Sequence, residues 1–204
     1  MSRCLLCDND LSYKANMYEL FFIDDVICFS CRNLWIKNKN KFYIEGIKVD
    51  SSYIYEENFS RALLQYKECY DEALYKIFLY RYLNYFKIKY FNYSIIPMPS
   101  SKQSLNERGF NHLIKIFEET NMKIINCLYK KDNVKQLGLH YKERLQIIDS
   151  IDIIDMKLPK KVVLVDDVCT TGSTLRAAIK LIKPKVKKIK IYTISTNYKN
   201  VGDL

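Results

Sequence analysis

The stretch KKVVLVDDVCTTGSTL, residues 160–175, sets the fold. Val162, Val163, Leu164 and Val165 form an uninterrupted apolar run. Such a run reads as a strand buried on both faces of a parallel sheet. Asp166 and Asp167 follow at the strand's end. Thr170, Thr171, Gly172, Ser173 and Thr174 then make a hydroxyl-rich turn into a helix expected over residues 175–183. In an open α/β sheet, ligands bind at the carboxyl ends of strands. A turn feeding a helix N-terminus gathers free N–H groups where the helix dipole favours an anion. Gly172 allows close backbone approach, and the hydroxyls can donate to phosphate oxygens. Two carboxylates beside such a cradle suit ribose hydroxyls or a divalent cation. Asp-Asp after a strand, taken by itself, is simply an acidic turn. The acidic strand of a P-loop NTPase is excluded, because none of the five glycines stands in GxxxxGK[ST].

At 204 residues the chain is long enough for one full domain and a small appendage. Hydrophobic residues make up 49% of it, enough for a substantial core, yet no apolar run approaches the roughly 18 residues of a membrane span. The N-terminus, MSRCLLC, carries no signal-peptide core, so a cytoplasmic protein is expected. Seven cysteines in that setting suggest metal binding before disulfides. The formal net charge of +10 is compatible with nucleic acid or phosphorylated substrates, although a lysine-rich solvated surface gives the same excess.

Cys4, Cys7, Cys28 and Cys31 form CxxC-x20-CxxC. Two residues between cysteines let both sulfurs of a knuckle reach one tetrahedral ion, so residues 1–45 read as a zinc ribbon. Four cysteine ligands leave no open position for water, which makes the zinc structural. Tyr18, Leu20, Phe21, Phe22 and Ile23 are expected to form a hairpin over it. Trp35 among Arg32, Lys37, Lys39 and Lys41 suits either nucleic-acid stacking or an inward-packed linker helix. Cys69, Cys127 and Cys169 are isolated and read as ordinary thiols.

Residues 46–204 hold the main domain. Two short strands are expected between Phe42 and Tyr55, with turns at Gly46 and Asp50-Ser51-Ser52. Two scaffold helices follow from Glu57 to Phe86, with Tyr66-Lys67 before a break near Cys69. Tyr93–Met98 is a second buried strand, ended by Pro97 and Pro99. Ser100, Ser101 and Lys102 beyond it offer donors to an anion. Glu107-Arg108-Gly109-Phe110-Asn111-His112 is expected to open a helix running to about Glu119, with Arg108 able to grip a phosphate. Residues 123–129 and 186–195 supply further strands. Strands alternating with helices imply a parallel, doubly wound α/β sheet. His112 and His140 lack a visible carboxylate, Ser or Cys partner and read as structural or surface residues.

The order CxxC…CxxC, Tyr66-Lys67, Pro97-Met98-Pro99, Arg108-Gly109-Phe110-Asn111, Gln136 and Arg144, then VLVDDVCTTGSTL resembles the ComF/ComFC family. The last string alone resembles the phosphoribosyl-pyrophosphate (PRPP) motif of type I phosphoribosyltransferases. Cys169 stands where a larger aliphatic is common, and Ser100 to Ser104 replaces a more arginine-rich segment. The resemblance implies a type I phosphoribosyltransferase-like fold with an N-terminal Cys4 zinc ribbon. It implies that Asp166 and Asp167 hold the ribose hydroxyls and that Thr170 to Thr174 bind the 5-phosphate. Ser100, Ser101 and Lys102 would face pyrophosphate, and Arg108 to Asn111 would lie on or near a covering loop. Mg²⁺ would accompany PRPP.

Two functions follow from that resemblance. One is a PRPP-dependent phosphoribosyltransferase acting in competence and DNA uptake. The other is a non-catalytic competence factor that reuses the fold to bind single-stranded DNA, a DNA-translocating helicase or recombination partners.

Overall fold

The computed structural model describes residues 3–11, 26–131 and 151–197. The hairpin expected around Tyr18 to Ile23, and Gln136, His140 and Arg144, lie outside them. A five-stranded sheet has the order β1-β2-β7-β6-β3. Its strands are β1 (Phe42–Ile44), β2 (Ile47–Ile54), β3 (Ser94–Pro97), β6 (Lys161–Cys169) and β7 (Lys188–Thr196). The pairs β2–β7, β7–β6 and β6–β3 are parallel, and β1 is antiparallel at one edge. The four apolar residues of the 162–165 run are fully buried, as a strand with parallel neighbours on both sides requires.

The helices are α1 (Phe29–Asn33), α2 (Glu57–Glu68), α3 (Tyr75–Leu79), α4 (Leu83–Lys89), α5 (Lys102–Arg108), α6 (His112–Glu118) and α7 (Ser173–Ile182). α2 buries Phe59, Ala62, Leu63 and Tyr66, and α7 buries Leu175, Ala178, Ile179 and Ile182. Both sets repeat at i, i+3, i+4, i+7, a single apolar stripe that must be covered. Aromatic rings join helices to sheet: Phe86 of α4 and Phe117 of α6 meet Tyr192 of β7 at centroid distances of 4.9 and 6.0 Å. Each buried ring contributes roughly 1.5–3 kcal/mol of apolar burial.

Several expectations change. β6 does not stop at the acids: Asp166 and Asp167 lie inside it, because β7 continues alongside as far as Cys169↔Thr196. The other neighbour, β3, ends at Pro97 opposite Val165, and the Met98 N–H makes a further bond to the Val165 carbonyl at 2.9 Å. The acids therefore pass the end of β3, and that step opens a cleft. Asp50-Ser51-Ser52 is strand and not turn, since Asp50 meets Tyr90 and Lys89 while Ser52 meets Tyr192. The second scaffold helix is broken into α3 and α4, with 3₁₀ turns at Glu72–Leu74 and Tyr80–Tyr82.

Residues 123–129 do not form one sheet strand. Ile124 makes a single parallel bridge to Ile95. The chain then leaves to form β4 (Leu128–Lys130), which pairs antiparallel with β5 (Ile151–Ile153) in a separate two-stranded sheet. The expected helix over residues 107–119 is two helices. Gly109 adopts φ 77°, a left-handed conformation suited to glycine, and its N–H closes on Leu105. Asn111 then caps α6, its side-chain oxygen accepting from the N–H groups of Leu113 and Ile114 at 3.1 and 3.2 Å.

Candidate functional site

A cleft of about 230 Å³ lies at the step between β3 and β6. It gathers Ser100, Ser101, Arg108, Asp166, Asp167 and Thr174 from the residues singled out in the sequence. Lys67, His112 and Lys130 join them. Lys102 is exposed at the start of α5 and outside the lining, as are Thr170, Thr171 and Ser173. These three residues flank Thr174 on the exposed turn. Within that turn Thr171 Oγ1 donates to Ser173 Oγ at 3.2 Å, and Arg176 Nη1 donates to the Thr171 carbonyl at 2.7 Å.

Gly172 holds the turn's shape. Its φ is 73°, and a Cβ there would stand 2.7 Å from Ile44 Cδ1. Glycine thus meets two demands at once, a left-handed backbone and the close approach of β1. Gly172 is also the residue before α7, whose first turn carries no side-chain cap from it.

The two acids are not equivalent. Asp167 is buried and both of its oxygens are engaged. Oδ1 accepts from the Val168 N–H at 2.7 Å. Oδ2 accepts from Lys67 Nζ at 2.9 Å and from His112 Nε2 at 2.8 Å. Arg108 Nη1 lies 3.1 Å from His112 Nδ1. A guanidinium only donates, so Nδ1 accepts and the ring proton sits on Nε2, aimed at Asp167. Burial opposes charge on Asp167, yet Lys67 and His112 hold its carboxyl well below the usual carboxylate range. Asp166 is half-buried, and its Oδ1 accepts from the Asp167 N–H at 2.9 Å. Burial, with the Asp167 charge beside it, pushes Asp166 up.

Lys67 and His112 were not read as site residues from sequence. His112 finds its carboxylate on a strand 55 positions further on. Only the packing of α6 against β6 brings the two together, helped by Tyr66 Oη, which donates to the His112 carbonyl at 2.9 Å. Lys67 was read as scaffold because it sits on an amphipathic helix beside the buried Tyr66.

The N-terminal cysteines converge as their spacing requires. The sulfurs of Cys4, Cys7, Cys28 and Cys31 all lie within 4.8 Å of one another. Zinc–sulfur bonds of ≈ 2.3 Å in a tetrahedron put sulfurs about 3.8 Å apart, and the Cys7–Cys28 separation is 3.7 Å. The Cys28 N–H points at Cys4 Sγ at 3.2 Å, and the Cys31 N–H at Cys28 Sγ at 3.5 Å. Against the cost of burial, such backbone donors draw the Cys4 thiol down to about 7. The donor set fits a structural zinc ion.

Trp35 does not stack outward. It is buried against Tyr53, Phe59 and Phe78 at centroid distances of 5.2, 5.1 and 6.0 Å. Arg32 lies over the Tyr80 ring at 5.2 Å. Of the two readings of Trp35, the inward-packed one holds. No helix among the described residues is long and apolar enough to cross a membrane.

The phosphoribosyl transferase domain family matches residues 142–202 of this chain. The competence protein ComFC of Streptococcus pneumoniae is 27% identical, over 82% of this chain and 74% of that protein. The competence protein ComFC of Bacillus subtilis is 26% identical, over 90% of each chain. Among solved structures, a hypoxanthine phosphoribosyltransferase from Staphylococcus aureus is 12% identical, with a TM-score of 0.43 over 65% of this chain and 69% of that one. A parallel sheet with flanking helices, the strand-acid-turn string and the matched domain define a phosphoribosyltransferase-like protein. With ComFC relatives similar to it over most of its length and a cysteine cluster at its N-terminus, the chain resembles the ComF/ComFC family.

Proposed function

We propose that this protein acts in competence, in the uptake of DNA, and that its cleft binds PRPP with Mg²⁺. The observation that carries the reading is the meeting of Asp166, Thr174, Ser100, Ser101 and Arg108 at the carboxyl end of β6. Asp166 belongs beside the ribose hydroxyls, residues 170–174 beside the 5-phosphate, and Ser100, Ser101 and Lys102 toward pyrophosphate, with Asp167 and Arg108 in the network behind them. Mg²⁺, suited to the hard oxygens of Asp166 and the ligand, would stabilise charge on the leaving diphosphate. In transfer, the bond from C1 to pyrophosphate breaks with its electron pair leaving on pyrophosphate, and an acceptor nucleophile bonds to C1. Donors already fixed in the cleft favour that charge without reorganising. Residues 1–45 would form the zinc ribbon and residues 46–204 the phosphoribosyltransferase-like domain, working in the cytoplasm.

The test is calorimetry of PRPP with the zinc-loaded protein, with and without Mg²⁺, beside Asp166→Asn. Binding that needs Mg²⁺ and is lost in Asp166→Asn supports the reading. Absence of binding by folded wild-type protein overturns it. The engagement of both Asp167 oxygens favours a second reading, a non-catalytic factor contacting single-stranded DNA, a DNA-translocating helicase or recombination partners. PRPP binding without pyrophosphate release in any acceptor screen, together with DNA affinity falling steeply with salt, would select it.

A further inference from the structure

Arg108 was the sequence's candidate for gripping a phosphate, but its guanidinium is largely engaged. Nε donates to the Lys67 carbonyl at 2.9 Å, Nη1 meets His112 Nδ1, and the side chain is 4% exposed. Lys67 is placed differently. It lines the cleft, and its side chain is 26% exposed. Of its three N–H groups, one serves Asp167 at 2.9 Å. Its position is fixed at both ends, by Asp167 on the ammonium and by Arg108 on the backbone carbonyl. The same network reaches the loop after β3, where Ser100 Oγ lies 3.4 Å from His112 Nδ1. Lys67 thus enters the cleft from α2 on the carboxylate that His112 links to Ser100, while Thr174 comes from the separate turn into α7.

We propose that Lys67 is the cation that meets the diphosphate of the bound ligand, with Asp167, His112 and Arg108 serving to hold it there. This rests on the reading of the cleft as a PRPP site. It gives Asp167 a role distinct from that of Asp166: Asp167 orients the lysine, and Asp166 faces the sugar. An ammonium already anchored loses little side-chain entropy on meeting the ligand. A cleft with Lys67, Arg108 and Lys130 against two aspartates carries an excess of one positive charge, which suits a polyanion.

The experiment is calorimetry of the zinc-loaded full chain with three probes: PRPP, inorganic pyrophosphate and ribose 5-phosphate, each with Mg²⁺. Lys67→Met is expected to weaken PRPP and pyrophosphate by about 10- to 100-fold, the range of a lost charge-assisted hydrogen bond. Ribose 5-phosphate, which has no diphosphate, should change by less than about 3-fold. Lys67→Arg should recover most of the loss. If Lys67→Met does not fold, Lys67→Gln keeps a donor for Asp167 without the charge and is read the same way. Equal weakening of all three probes, or of none, overturns the proposal. Wild-type protein that binds pyrophosphate through Lys67 but does not prefer PRPP upholds the lysine and rejects PRPP. Wild-type protein that binds none of the three rejects both.

Discussion

His112 Nε2 stands 2.8 Å from Asp167 Oδ2, and this bond ties the first residue of α6 to the strand that carries the site. Lys67 shares the same oxygen from α2. Three elements distant in sequence thus meet on one carboxylate at the floor of the cleft. The site and the packing of α2, α6 and β6 are one structure, so a change at Asp167 acts on both.

Removing the Asp167 charge should leave Lys67 partly buried without its counter-ion. Breaking a buried pair from one side costs about 3–5 kcal/mol. Because Lys67 is 26% exposed, we expect the lower part of that range for Asp167→Ala. The double variant Lys67→Met/Asp167→Ala should be less destabilised than the sum of the single changes. Urea unfolding of the four proteins gives the coupling directly, and additive effects would show that the pair is not coupled.

Gly172→Ala should destabilise by about 1–3 kcal/mol, combining a left-handed backbone with the contact to Ile44. Ile44→Val should relieve the steric part but not the conformational part. In thermal denaturation, Gly172→Ala/Ile44→Val should therefore recover some stability relative to Gly172→Ala. No recovery would place the whole cost in the backbone.

The fold's centre was legible because it rests on local signals. An apolar run and a glycine-containing turn specify strand and helix start with little help from elsewhere, whereas the strand's end, three residues past where the acids begin, depends on β7 alongside. The convergence of Cys4, Cys7, Cys28 and Cys31 was legible for the same reason, since CxxC spacing fixes local geometry. Long-range pairing was not. Whether residues 123–129 join the main sheet depends on β5, which lies outside that stretch. The identity of Asp167's partners depends on how α2 and α6 dock. The helix break at Gly109 and Asn111 could have been read, because glycine followed by asparagine two residues later is a stop and a start. The expectation of one helix gave the apolar pattern precedence over those caps.

Tyr66, Tyr90 and Tyr192 should resist ionisation while the protein is folded. Burial pushes each phenol up, and Tyr90 is raised further by the Asp50 carboxylate that accepts from it at 2.6 Å. A group raised in the folded state contributes stability that is present below its unfolded value, about 10 for tyrosine, and is lost as pH rises through the folded value. Stability should therefore fall above about pH 10. A near-ultraviolet titration should show the buried set ionising only on alkaline unfolding. A single transition for all of them, with the fold intact, would contradict the burial.

Zinc removal has a built-in reporter. Trp35 is the chain's single tryptophan, and it follows α1, the helix that carries Cys31. Its ring is packed among Tyr53, Phe59 and Phe78, so its emission should be blue-shifted in the metal-loaded protein. Zinc contributes roughly 10–16 kcal/mol to small cysteine sites at pH 7, and a ribbon of this size has little core to replace it. A chelator should red-shift Trp35 and lower the melting temperature, and added zinc should reverse both. Unchanged emission in metal-free protein would mean that the aromatic cluster, and not the ion, holds α1 in place.

Asn111 should matter to ligand binding although it does not line the cleft. Its side chain caps α6 through two N–H groups, and the next residue is His112. Loss of such a cap costs about 1 kcal/mol. Asn111→Ala should lower stability by that amount and also loosen the ring that holds Asp167. Asn111→Asp and Asn111→Ser keep an N-cap acceptor and should restore the helix start. If PRPP affinity falls with Asn111→Ala and returns with Asn111→Ser, the residue acts by positioning His112. If affinity stays low with every substitution that restores stability, Asn111 meets the ligand itself, and the loop between α5 and α6 must then close over the cleft when it is filled.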